Sequence, residues 1–297
     1  MPFVGAGASL VGCAPAHRLP DSRGLAKELV AMMEGAYPQG TADELAKVAQ
    51  VFEYTVFDRD ALYKHLHRRF EIEQTSQRPS DVATMLAGLP NRQQNLFIIT
   101  TNYDSFIERA FHAADRPICT VTQGLRASDG NDHHMLGLEL ILPDGRTTTM
   151  ESRDFAVSEF PPGCTFLFKM HGSVHQSAQD GPDNVIITED DYVDFIVNSG
   201  GSVSPYFPPP ALTREYKTRR FLFLGYSLYD WNFRAFLRVL ALRNALSGRE
   251  KRRHWAVQLN PDPIEVDLWR HRNVNVHNGD LAQFCVRLRQ AMELEMS

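Results

Sequence analysis

The sequence of 297 residues lacks several features that mark particular classes of protein. It has only four cysteines, and no two of them form a C-x-x-C pair. That absence excludes zinc ribbons and zinc fingers and argues against a disulfide framework. No run of about 18 uninterrupted apolar residues occurs, so no membrane-spanning segment is predicted. No charged start with an apolar centre resembles a signal peptide, and we therefore expect a soluble cytoplasmic protein.

An excess of positive charge is missing as well. The formal net charge is −5, with 36 Asp and Glu against 31 Lys and Arg, so direct nucleic-acid binding is not expected. We interpret the basic runs Arg214–Arg220 and Arg249–His254 as solvated turns that flank strands rather than as phosphate contacts. A chain of this length can bury a hydrophobic core without disulfides or structural metal ions, and it is expected to form one large domain or two small ones.

Short runs of β-branched and aromatic residues alternate with segments of helical period along the chain. Several of these runs are apolar without alternation, as in Leu96–Ile99 and Phe221–Leu224, which is typical of strands buried on both faces. The pattern predicts an α/β fold with a Rossmann-like parallel sheet and flanking helices. The predicted strands are Pro2–Val4, Asn95–Thr100, Ile118–Val121, Thr165–Met170, Asn184–Ile187, Arg220–Gly225, Arg253–Leu259 and Asn273–Val276.

Two segments interrupt this alternation. Residues 26–90 are almost wholly helical in pattern, which predicts a helical cap or subdomain inserted after the first strand. Helices are expected to begin after Asp58, after Thr188 and from Asp230. Residues 122–163 contain two strand-like runs joined by Pro143–Gly145, and an Asp-Gly pair in that place predicts an antiparallel β-hairpin excursion from the main sheet.

The first candidate site is the glycine-rich turn Gly5–Ser9, which directly follows the first predicted strand. Its two glycines allow a tight strand-to-helix turn whose backbone N–H groups can approach a diphosphate. Leu10 stands where the dinucleotide fingerprint has its third glycine, so the ordinary dehydrogenase signature is absent. A turn of small residues without any ligand explains this motif equally well.

Three further polar motifs follow predicted strands, where ligands of open α/β sheets bind. After the second strand, Asn102 could bind ribose hydroxyls or hold a water, while Asp104 could simply cap the next helix. His171 follows a buried strand and precedes a glycine, which makes it a general-base candidate. Gly225 and the following Ser227 fit a second close approach of backbone to ligand.

The order of these motifs resembles the sirtuin fold family. The residues that carry the resemblance are Gly5–Ser9, Leu19–Arg23, Thr101–Asp104, His171–Gly172 and Gly225–Asp230. The likeness covers residues 3 to about 232, and the closing strands and helix fit the family. The chain looks most like the bacterial sirtuin-like branch that hydrolyses NAD in anti-phage defence. A single NAD-binding domain over residues 1–297 is therefore expected.

The resemblance implies a catalytic set of three residues. His171 would be the base, acting through a ribose hydroxyl or on water. Asn102 would face the nicotinamide ribose, with Asp104 nearby.

The resemblance also implies an NAD-binding set. The glycine-rich turn would hold the phosphates, a loop with Asp21 and Arg23 would cover the nicotinamide end, and the residues that follow the strand ending near Leu224 would hold the adenosine side. The members of this set are Ala6, Gly7, Ser9, Asp21, Arg23, Thr101, Gly225, Ser227, Asp230 and Asn232.

Departures from the family pattern bear on the reaction. Deacylases of this fold carry a four-cysteine zinc module between the His strand and the later Gly-Ser strand, but residues 172–224 contain no cysteine. Ser22 replaces the aromatic residue of their Pro-Asp-Phe-Arg segment. We therefore expect no zinc, and the resemblance implies hydrolysis of NAD to nicotinamide and ADP-ribose. The alternatives are an ADP-ribosyl transferase or cyclase, a zinc-free deacylase, and a non-catalytic sensor of NAD or ADP-ribose.

Regulation is also implied by the resemblance, because uncontrolled loss of NAD would harm the host cell. We expect a homo-oligomer, or a partner such as a helicase-like ATPase or another sensor protein, to control activity. Members of the family usually have a longer strand, and often a helix, before the first glycine motif. From that difference we expect Met1 to be an internal or misassigned start.

Overall fold

The computed structural model describes residues 1–14, 18–35, 37, 44–56, 59–70, 78–90, 95–123, 137–174, 185–200, 209–226 and 253–296. Nine strands in this part of the chain form one sheet. In chain order they are β1 (Pro2–Val4), β2 (Leu96–Thr100), β3 (Ile118–Gln123), β4 (Gly137–Ile141), β5 (Thr147–Glu151), β6 (Thr165–Lys169), β7 (Leu222–Leu224), β8 (His254–Gln258) and β9 (Val274–Asn278).

The strand order is β5-β4-β3-β6-β2-β1-β7-β8-β9. Every neighbouring pair between β3 and β9 in this order is parallel, whereas β4 pairs antiparallel with both β3 and β5. From β1 the sheet extends in one direction through β2 and in the other through β7. The junction between β1 and β7 is therefore a topological switch point, where open α/β sheets bind ligands.

Helices connect the strands and cover the sheet. They are α1 (Ala6–Ser9), α2 (Ser22–Met32), α3 (Leu45–Val56), α4 (Arg59–Phe70), α5 (Asp81–Ala87), α6 (Phe106–Ala113), α7 (Glu189–Gly200), α8 (Pro210–Thr218), α9 (Pro263–Arg270) and α10 (Leu281–Met296). In the described residues, no helix is both long enough and apolar enough to cross a membrane.

Side chains of the central strands alternate between two hydrophobic clusters, one on each face of the sheet. In β2, Ile98 belongs to one cluster, while Phe97 and Ile99 belong to the other. In β1, Val4 and Phe3 divide in the same way. Burial on both faces explains why the strand sequences are apolar without alternation, and it confirms the predicted parallel α/β sheet with flanking helices.

Several local predictions are confirmed. Helix α4 begins where a helix was expected after residue 58, and it buries Leu62, Leu66 and Phe70. Helix α7 follows Thr188, whose hydroxyl accepts a hydrogen bond from the Asp191 N–H at 3.1 Å. The hairpin also forms, and it continues the main sheet as an antiparallel edge rather than leaving it.

Two predictions are wrong. Val185–Ile187 is not a strand, because it has no partner strand in the described sheet. The segment lies beside the end of β6, where the Ile186 N–H donates to the His171 carbonyl at 3.0 Å. Arg214–Thr218 is not a turn but part of α8, which begins with Pro210 at a position where proline favours a helix start.

Two other predictions fall where the structure is not described. The helix expected from Asp230 lies outside the described residues, and so do residues 249–252 of the second basic run. The end of that run is described, and there the prediction of a solvated turn is wrong, because His254 is fully buried and begins β8.

Candidate functional site

Two glycine turns meet at the junction between β1 and β7. The Gly5 N–H donates to the Leu224 carbonyl at 2.9 Å, and the Gly7 N–H donates to the Gly225 carbonyl at 3.0 Å. Gly225 has a φ of +71°, and a Cβ placed on it would lie 2.2 Å from the nitrogen of Ala8. This approach requires glycine, since a side chain at Gly225 would clash with the backbone of the first turn.

A buried hydrogen-bond network connects the first turn to the end of β2. The Ser9 hydroxyl donates to Asp104 Oδ2 at 2.6 Å and accepts from Asn102 Nδ2 at 2.8 Å. Asn102 Nδ2 also donates to the Gly5 carbonyl at 3.1 Å, which defines the orientation of the amide because a carbonyl can only accept. The side-chain oxygen of Asn102 is buried and has no hydrogen-bond partner among the described residues.

The two carboxylate oxygens of Asp104 have different partners. Its Oδ1 accepts a hydrogen bond from the Phe106 N–H at 3.0 Å, at the start of α6, while its Oδ2 accepts from Ser9. Burial raises the pKa of the Asp104 carboxyl above its usual value, although the bond from Ser9 and the charge of Lys169 oppose that rise. The carboxyl therefore binds the first N–H of α6, whose N-cap is Ser105, and also holds the first turn in place.

His171 lies just beyond the end of β6, next to the Asn102 loop. Thr100 and Lys169 are register partners in β2 and β6, so Asn102 and His171 each stand two residues beyond the same paired position. The imidazole packs edge-on against Tyr192, with ring centroids 5.3 Å apart. Burial lowers the pKa of His171 to about 4, so the ring is neutral at pH 7.

The strand ends enclose a cavity of about 350 Å³. It is lined by Ala6, Gly7, Ser9, Leu10, Leu19, Pro20, Asp21, Ser22, Leu25, Leu45, Phe70, Thr101, Asn102, Tyr103, Asp104, His171, Tyr192, Gly225 and Tyr226. All three predicted catalytic residues and six of the predicted NAD-binding residues thus surround one space. Asp21 also caps α2, since its Oδ1 accepts from the Gly24 N–H at 2.7 Å.

The remaining predicted NAD-binding residues are not gathered there. Arg23 is exposed and does not line the cavity. Ser227, Asp230 and Asn232 lie outside the described residues. In the described part of the chain, no group of three or more His, Cys, Asp or Glu side chains could hold a metal ion.

A second cavity, of about 510 Å³, lies on the other side of the same junction. Both cavities are lined by Gly7, Gly225 and Tyr226, so the two glycine turns form the boundary between them. The second cavity also contacts the ends of β8 and β9, where Gln258 and Asn260 are among its lining residues. A dinucleotide bound at a switch point spans two such halves.

Sequence reasoning missed several residues that line these cavities. The Tyr226 hydroxyl is 2.7 Å from the Thr101 hydroxyl, and Tyr192 contacts His171. Tyr226 lies between Gly225 and Ser227, the two residues that suggested a ligand contact, but nothing in the sequence indicated that Tyr226 itself lines the site. Gln258 ends β8, so the strand-end rule applied to that strand would have found it.

Comparison with known proteins agrees with this geometry. None of the curated proteins matches the chain. A family model described as a SIR2-like domain matches residues 96–277, which is more than half of the chain and runs from β2 into β9. The matched residues include the Asn102 loop, His171 and Gly225. The chain therefore belongs to the family of SIR2-like domains, which are typically NAD-dependent enzymes.

Proposed function

We propose that this protein hydrolyses NAD to nicotinamide and ADP-ribose. The observation that carries the proposal is that His171 and Asn102 line one cavity beside the glycine turns. The His171 ring is neutral, and the buried side-chain oxygen of Asn102 has no hydrogen-bond partner among the described residues. Membership of the SIR2-like family supports NAD as the substrate. The nicotinamide end would occupy the first cavity, and the adenosine end would occupy the second.

In the proposed reaction the bond between ribose C1′ and the nicotinamide nitrogen breaks, and the bonding electron pair leaves with nicotinamide. The ribose then carries positive charge until the oxygen of water bonds to C1′. The water loses one proton, so the products are nicotinamide, ADP-ribose and a proton. The protein must therefore orient one water, accept its proton and stabilise positive charge on the sugar.

His171 is suited to accept the proton because its ring is unprotonated at neutral pH. The Asn102 side-chain oxygen is an acceptor without a partner in the described chain, and it can orient a water or face the charged ribose. Ser9 and Gly5 hold the amide nitrogen of Asn102, so this oxygen is fixed in direction before substrate binds.

We further propose that the enzyme is a regulated effector of anti-phage defence. The lack of cysteine in residues 172–224 supports the NAD-hydrolysing branch over the deacylases, and so does the segment Ile186–Tyr192, whose sequence resembles that branch. In this proposal the whole chain is one NAD-binding domain, with residues 26–90 as its helical cap and the hairpin at 122–163 as an insertion. Its activity is controlled by self-assembly or by a partner such as a helicase-like ATPase.

Chromatography of a reaction with NAD tests the proposal. The purified protein is incubated with NAD alone and then with the product of an adjacent gene. Nicotinamide and ADP-ribose in equal amounts are the expected products. A cyclic product indicates a cyclase, ADP-ribose attached to protein indicates a transferase, and binding of NAD without its consumption indicates a sensor; each of these three results contradicts the proposal.

A further inference from the structure

Lys169 is a fully buried cation next to the candidate site. It ends β6 and has no exposed surface. Its Nζ donates to the carbonyls of Tyr103 at 3.2 Å and Asp104 at 2.7 Å, and to Glu108 Oε1 at 3.0 Å. An ammonium group has three N–H donors, so these three acceptors satisfy it completely.

The location of Lys169 connects the two strand ends that carry the proposed catalytic residues. Lys169 precedes His171 by two residues, and the carbonyls that it binds belong to the two residues that follow Asn102. A single ammonium group therefore holds the loop after β2 against the end of β6. Through the bond between Asp104 and Ser9, the same loop also holds the first glycine turn.

Glu108 supplies the balancing negative charge from α6. The pair is almost completely buried, with side-chain exposures of 0% for Lys169 and 9% for Glu108. Glu108 Oε2 has no hydrogen-bond partner among the described residues. A buried ion pair with an unsatisfied oxygen is weak evidence for stability, because apolar residues of similar volume often stabilise a protein as well or better.

We infer that Lys169 and Glu108 are positioning residues, which set the separation and orientation of Asn102 and His171 for NAD cleavage. Neither residue lines the first cavity, so neither touches the substrate. This inference rests on the proposed function. A displacement of about 1 Å in catalytic groups can reduce turnover by about 10²-fold, which makes the loop geometry itself important for rate.

The test replaces both charges together, as Lys169→Met with Glu108→Leu, so that no unpaired charge is left in the interior. We expect kcat for nicotinamide release to fall by about 10²-fold while KM for NAD changes by less than about twofold. Thermal unfolding checks that the variant is folded. If it does not fold, Lys169→Gln with Glu108→Gln is assayed in its place with the same criteria.

Arg116→Met is the matched control. Arg116 also binds two backbone carbonyls, those of Ala87 at 2.6 Å and Leu89 at 2.7 Å, but it lines neither cavity. We expect its loss to lower Tm without changing kcat or KM of the folded protein. This control distinguishes the loss of any buried cation that binds backbone carbonyls from the loss of Lys169, which connects the two strand ends.

Three outcomes decide the matter. Selective loss of kcat in the double variant, with an unchanged control, supports the positioning role. Turnover by the double variant equal to that of the control overturns the positioning role and leaves the proposed function standing. Absence of NAD turnover by the wild-type protein, alone and with the product of the adjacent gene, overturns the proposed function and this inference with it.

Discussion

The two cavities beside the β1–β7 junction share Gly7, Gly225 and Tyr226 but hold their polar groups differently. In the first cavity, Asn102 and Asp104 are only 8% and 6% exposed. Their side chains belong to a buried network, and burial shifts the pKa of Asp104 upward and that of His171 downward. Such shifts cluster at functional sites, which favours this cavity as the place of chemistry.

The acidic groups of the second cavity are more exposed to solvent, and they accept hydrogen bonds from backbone N–H groups at the starts of helices. Asp262 is exposed, and its Oδ1 accepts from the Ile264 N–H at 2.7 Å at the start of α9. Asp280 Oδ1 accepts from the Gln283 N–H at 3.0 Å. We interpret the difference as a division between a reacting half and a recognising half. If this division is correct, variants inside the first cavity should change turnover most, and variants at the boundary should change binding.

Replacing His171 or Asn102 has the largest expected effect. His171→Ala and Asn102→Ala should each abolish nicotinamide release while the fold is retained. General-base assistance by His171 is worth about 10²–10⁴-fold, and loss of one preorganised polar group such as the Asn102 amide costs about 10²–10³-fold. Release of nicotinamide from NAD measures the effect, and circular dichroism checks the fold. Val193→Ala is the control, since Val193 is 57% exposed on α7, next to Tyr192. Activity that persists in either site variant contradicts the assignment.

A side chain on the boundary between the cavities should damage both halves. Gly225→Ala brings a Cβ to 2.2 Å from the Ala8 nitrogen at a φ of +71°. We expect weaker NAD binding in calorimetry and a loss of stability well above the roughly 1–2 kcal/mol of the φ penalty alone.

Gly145→Ala is the matched control for this clash. Gly145 has a φ of +83°, but nothing lies within 4 Å of an added Cβ. The Gly145→Ala variant should therefore lose only the stability that corresponds to the φ penalty, and its NAD binding should be unchanged. Equal losses of stability in the two variants would show that the close contact between the turns contributes little.

The low pKa of His171 predicts a pH dependence of stability. Its pKa is about 4 in the folded protein against an ordinary value of 6.5, so the unfolded chain binds a proton more readily between these values. The free energy of unfolding should therefore decrease as the pH falls, by up to about 2 kcal/mol between about pH 7 and pH 5. Urea unfolding at both pH values measures the change. The same decrease in His171→Gln would assign it to another group.

Removal of the Tyr226 hydroxyl should have the smallest effect. Tyr226→Phe removes the group that lies 2.7 Å from the Thr101 hydroxyl at the boundary of the two cavities. A hydrogen bond of this kind contributes roughly 1 kcal/mol to the stability of the arrangement that it holds, so we expect NAD affinity to weaken by no more than about fivefold with kcat nearly unchanged. Isothermal titration and steady-state kinetics measure the two quantities. A large loss of kcat would instead place Tyr226 in the reacting half.

Much of the fold could be predicted because the strands and the hairpin turn are determined by patterns of neighbouring residues. Apolar runs without alternation indicated strands buried on both faces, and the Asp-Gly pair indicated the hairpin turn. The failure at Val185–Ile187 has a physical reason. An apolar segment that is buried beside a strand end has the same composition as a strand, and only the pattern of hydrogen bonds distinguishes the two.

The sequence by itself determined the α/β class and the strand ends that carry Asn102, His171 and the glycines, since these follow from neighbouring residues. Only the tertiary structure decided which of them meet. Ser9 and Asp104 are 95 residues apart in the chain, yet their side chains bond at 2.6 Å. Lys169 gave no local signal, because its burial depends on acceptors supplied by the loop after β2 and by α6. Parallel strands join distant segments, so strand order and register decide the site.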